Sequence, residues 1–116
     1  MRNLSDPKFI DGDYATGITA AGTTQGTATT LPANHCLVST VTDAANGVIL
    51  KALPVGEVFS VANGDGAGAV GAQTLKVYPP SGSSFNGMTA NDPINLPPGF
   101  CAQGRFVSST AIMVSF

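Results

Sequence analysis

The sequence predicts an all-β domain, an antiparallel β-sandwich of jelly-roll type with about eight or nine short strands. Three observations carry that prediction. Short runs alternate apolar and polar residues with the period of two that marks a strand. Turn dipeptides separate those runs at roughly 8–12 residues, the spacing of all-β folds. No window of helical length carries an apolar stripe of 3.6-residue period.

The elements follow in order. Residues 1–16, "MRNLSDPKFIDGDYAT", form an N-terminal arm: charges gather there, and Pro7 and Gly12 interrupt any regular element. The body, residues 17–116, is one β-sandwich domain, since a chain of 116 residues suits a single core. Its expected strands are 18–21, 27–31, 35–41, 48–53, 58–63, 73–78, 93–96, 100–108 and 111–116. In "HCLVSTV", Cys36 and Val38 oppose Leu37 and Ser39; in "EVFSVAN", Phe59 and Val61 oppose Val58 and Ser60. In "TLKVY", Leu75 and Val77 point into the core and Lys76 to solvent. Asn46-Gly47, Asn63-Gly64 and Asn86-Gly87 offer the positive-φ positions of tight hairpins. Leu31-Pro32, Leu53-Pro54 and Leu96-Pro97 end strands, and the Gly/Ala-rich segment 61–73 reads as a long hairpin loop.

Composition excludes several function classes. Only 10% of residues are charged and the net charge is −2, so no basic stripe is present for nucleic acid or for an anionic membrane. No apolar run is long enough to span a bilayer, and no basic start followed by an apolar run marks a secretory signal. Three lysines, Lys8, Lys51 and Lys76, are few to protect the edges of a β-domain, which implies that neighbours cover them in an assembly. Cys36 and Cys101 read as buried free thiols; a disulfide between them stays open, requiring backbones within about 7 Å.

Catalytic chemistry is poorly supplied. The one histidine, His35, neighbours Cys36 on a strand, so the two side chains face opposite ways and form no local dyad. The histidine and two distant cysteines lack zinc-site spacing, and no cofactor motif is present. The seven carboxylates sit mostly in turns or in the arm, where Asp serves backbone hydrogen bonding. "NGDG", residues 63–66, lacks the further acidic ligands of a calcium loop. The chain therefore reads as a non-enzyme with no catalytic, metal or cofactor residues.

Four segments carry a resemblance: "GITAAGTTQGTATTL", "NGVILKALPVGEVFSVANGD", "LKVYPPSGSSFNG" and "LPPGFCAQGRFVSSTAIMVSF". In this order they resemble the head decoration (cement) proteins and small virion β-domains of tailed bacteriophages. The resemblance covers Gly17 to Phe116, and "VYP…G…NG" is its most specific piece. Where such proteins commonly carry a tryptophan in the closing strand, this chain has Ile112, Met113 and Phe116. The resemblance implies a virion structural protein that stabilises the outer capsid surface, often as a homotrimer, with the major capsid protein as partner. A tail spike or fibre module that binds a host receptor or glycan is the alternative it implies. Phe9, Ile10 and Tyr14 of the arm and Phe85 and Asn86 of the 81–86 loop are the expected contact residues.

Overall fold

The computed structural model describes residues 13–64 and 72–116. Among them the chain forms ten strands, one 3-10 turn at Gln25–Thr27 and no α-helix. The strands are β1 Tyr14–Thr19, β2 Thr29–Thr30, β3 His35–Thr40, β4 Gly47–Ile49, β5 Val58–Asn63, β6 Leu75–Tyr78, β7 Ser84–Phe85, β8 Ile94–Leu96, β9 Cys101–Phe106 and β10 Ala111–Ser115. Their order is β1-β3-β5-β9-β10-β7 in one sheet and β2-β4-β6-β8 in the other.

The winding corrects the antiparallel expectation. From β1 to β6 the chain alternates between the two sheets. β1, β3 and β5 run parallel, and so do β2, β4 and β6. These are three successive solenoid-like coils. The chain then turns back: β8 is antiparallel to β6, β9 to β5, and β10 to β9, while β7 joins the far edge parallel to β10. The sheets are therefore mixed. Period-two alternation fixes which face a residue takes and says nothing about the direction of the partner strand. Parallel neighbours need a long crossover, and here each crossover is the strand of the opposite sheet.

Prolines mark the corners. Pro32, Pro54, Pro79 and Pro97 each follow a strand of the four-stranded sheet, recurring roughly every 20 residues as solenoid periods do. Proline has no N–H to donate, so the ladder ends and the chain crosses to the other sheet.

One core fills the space between the sheets. Val38, Val61, Ala102 and Ile112 meet Val48, Leu75, Val77 and Leu96, all buried. The alternation expected for β3, β5 and β6 holds, with Leu75 and Val77 inward. Lys76 faces outward, half-buried, and donates to Asn95 Oδ1 at 3.2 Å. Phe59 and Phe106 pack edge to face at 5.9 Å, a favoured aromatic geometry. They fit because residue 104 is glycine: a Cβ there would collide with the Phe59 ring and the Met113 carbonyl.

The turn dipeptides divide. Asn86 and Gly87 both adopt positive φ, at 49° and 75°. Gly47 instead opens β4, and Asn63 ends β5 as a fully buried side chain. The expected strand 27–31 is a 3-10 turn followed by the two-residue β2, and β7 was not expected. β1 begins at Tyr14, in register with His35, so residues 14–16, expected in the arm, belong to the sheet.

Candidate functional site: the outer face of the six-stranded sheet

The sequence-derived contact residues separate. Phe85 is fully buried and belongs to the core. It lies on β7 facing inward, where burial of a large aromatic stabilises the far edge of the sheet. Its expected role as a contact residue is corrected: the loop around it reads as polar, and only the tertiary packing encloses the ring. Asn86 acts as one more peptide in the ladder. Its Nδ2 donates to the Val114 carbonyl at 2.9 Å, and its Oδ1 accepts from the Val114 N–H at 2.8 Å. The loop before β8 is pinned by Asn91, whose Oδ1 accepts from Gly82 N at 2.7 Å and from Gln25 Nε2 at 3.1 Å. The proline-rich stretch thus serves loop positioning. Tyr14 is on β1 with 71% of its surface exposed. Phe9 and Ile10 lie outside the described residues.

The groups considered for chemistry do not converge. Among the described residues no three His, Cys, Asp or Glu side chains come together as a metal would require. Asp43 Oδ1 accepts from Ala45 N in a turn, and Glu57 Oε1 accepts from the buried Asn34 at 3.3 Å. Cys36 is buried and Cys101 exposed, both as free thiols. They sit on opposite faces of one sheet with β5 between their strands, which excludes a disulfide. Burial pushes the pKa of the Cys36 thiol up.

What the sheet does bring together is its outer face. Strand register lines up Tyr14, His35, Ser60, Gln103 and Ser115 as one row across five strands. The next row is Val58, Arg105 and Met113, and on the other side lies Leu37, Ala62 and Cys101. Successive strands stand about 4.8 Å apart, so the first row runs about 19 Å. Between the rows is an open groove of about 710 Å³ lined by His35, Val58, Ser60, Gln103, Arg105, Met113 and Ser115, with neighbouring residues. His35 Nδ1 and Ser60 Oγ are hydrogen-bonded at 2.8 Å. The side chains of Gln103, Arg105 and Ser115 make no hydrogen bond or ion pair with a described residue.

Sequence reasoning missed this groove. The alternation of "CAQGRF" places Gln103 and Arg105 on one face, but which strands flank β9 is not written in any local pattern. Compared with known proteins, the chain matches no family model, no curated protein and no solved structure.

Proposed function

We propose that the protein is a structural virion component, a non-enzymatic decoration protein that binds the major capsid protein on the outside of a tailed-phage head as a homotrimer. The observation that supports this reading is the surface. On a chain with only 10% charged residues, Tyr14, Val55, Phe100, Met113 and Phe116 each keep half or more of their surface exposed. Exposed apolar side chains on strands and turns with so few charges to guard them support a partner that covers part of this surface. A trimer engaging several capsid subunits at once gains about 10²–10⁴ in avidity over one contact, and the shell then resists outward pressure because several contacts must release together.

Band intensity on a gel of purified particles tests the class. A copy number near that of the major capsid protein is the expected result. A few tens of copies would move the protein to the tail, as a receptor- or glycan-binding module. Light scattering on the isolated chain tests the trimer, and a monomer at micromolar concentration would count against it. Deleting residues 1–12, which removes Phe9 and Ile10 and leaves β1 whole, is expected to keep the thermal transition and abolish capsid binding or trimerisation. Full decoration by the truncated chain would move the contact to the folded body.

A further inference from the structure

We infer that the groove on the outer face of the six-stranded sheet is a binding site for an acidic saccharide, a sugar chain carrying a carboxylate, with Arg105 as the anion-binding residue. This goes beyond capsid decoration and holds wherever on the particle the protein sits.

The argument starts from where polarity lies. β5 and β9 are the central strands of the sheet. On these two strands the outer face carries Ser60, Gln103 and Arg105 alternating with Val58, Ala62 and Cys101, and Tyr14 on β1, Leu37 on β3 and Met113 on β10 stand to the sides. Polar and apolar groups are interleaved across this face, which suits an amphipathic ligand such as a sugar ring, with hydroxyls at its rim and C–H groups on its faces.

The donors then specify the chemistry. Arg105 presents a planar fork that suits a carboxylate or a phosphate. It is the one lysine or arginine among the residues lining the groove. One guanidinium balances a single charge. It does not balance a run of phosphates, and the chain's net charge of −2 disfavours a polyanion such as nucleic acid further. Gln103, two residues away on the same face, is about 7 Å from Arg105 and is flanked in register by Ser60 and Ser115. An amide and two hydroxyls each donate and accept, and sugar hydroxyls do the same. Val58 and Met113, on either side of Arg105, offer apolar contact for the C–H face of a sugar ring. An acidic peptide would satisfy Arg105 and could pair its backbone with the amide and hydroxyls, so it is the competing outcome of the test.

The test is calorimetric titration of the full chain with three oligosaccharides of one carboxylate each, ending in galacturonate, glucuronate and sialate, with neutral maltohexaose and with a poly-glutamate peptide. At least one acidic saccharide is expected to bind, more weakly as salt rises, with maltohexaose and poly-glutamate at least tenfold weaker. Arg105→Ala is expected to lose about 10–100-fold in affinity, as loss of a charged hydrogen bond implies, and Arg105→Lys to recover only part. Nitrogen-15 chemical shifts are expected to move at Ser60, Gln103, Arg105 and Ser115. All four positions have side chains on an exposed face, so a thermal transition unchanged in the variants separates lost binding from lost folding. Failure of all three acidic saccharides, equal binding of poly-glutamate, or full affinity in Arg105→Ala would overturn the inference and leave the decoration reading standing.

Discussion

The coiling half of the chain, residues 14–78, and the returning half, residues 79–115, use asparagine in opposite ways. The coils are joined by crossovers between sheets, and backbone bonds such as Leu50 N to the Tyr78 carbonyl and Gly64 N to the Val38 carbonyl carry the ladders into the corners. Asparagine side chains, buried at Asn34 and Asn63 and half-buried at Asn46, supply further donors. Asn63 Nδ2 donates to the carbonyls of Gln73 and Leu96 at 2.9 and 3.0 Å. Asn34 Nδ2 reaches the Val58 carbonyl at 3.3 Å, and Asn46 Nδ2 the Gly22 carbonyl at 2.9 Å. Through such ties every buried side-chain nitrogen and oxygen among the described residues has a partner. The returning half closes with short-range turns instead. In the β9–β10 hairpin, Val107 N donates to Ala111 O at 3.0 Å, and Ser108 Oγ accepts from the Thr110 and Ala111 N–H groups. Asn86 there is exposed and extends a ladder that already exists. The coils thus add the buried donors of Asn34 and Asn63 to their backbone bonds, where Asn86 and Asn91 of the return do their pinning from exposed positions.

The largest consequence falls on Asn63. Asn63→Ala removes the buried donor that the Gln73 and Leu96 carbonyls share, and the expected cost is about 2–4 kcal/mol. Its counterpart in the returning half, Asn86→Gly, keeps the positive φ and removes only a side chain at the surface, so the expected cost is about 1 kcal/mol. Urea unfolding of the two variants measures both. Equal losses would show that the corners of the coils are no more dependent on side chains than the turns are.

A smaller effect separates the two thiols. Cys101, on the outer face of β9, is expected to react with a thiol reagent in the folded protein, and Cys36, inward on β3, only after denaturation. The pH dependence follows from the raised pKa of Cys36, whose ordinary value is 9.0. Below that value the thiol is protonated folded or unfolded, and its contribution to stability is complete. Above it the unfolded chain loses the proton first, so stability falls as pH rises toward the folded-state pKa. The urea midpoint of the wild type is expected to drop more between pH 8 and pH 10 than that of Cys36→Val. Equal drops would show that other groups carry the alkaline loss.

Some of this was legible before folding, and the particular residues show why. Leu75 and Val77 declared themselves as core, and Val38 and Val61 as sharing a face with Cys36 and Phe59, because side-chain direction in a strand is a local property of the pleat. Phe85 did not, since a two-residue strand is too short to show a period. Asn63 read as half of a turn dipeptide, and its burial depends on Gln73 and Leu96, ten and more residues away.

The sequence by itself determined that the protein is all-β, which faces its strands present and where the prolines end them, because pleat alternation and the missing proline N–H act within a few residues. Tertiary structure alone decided that the first strands run parallel, that Asn63 is a buried tie, and that Ser60, Gln103, Arg105 and Ser115 share one groove. Those are matters of which strands become neighbours and in what direction, and that choice is made by the whole chain when its two sheets close over a common core.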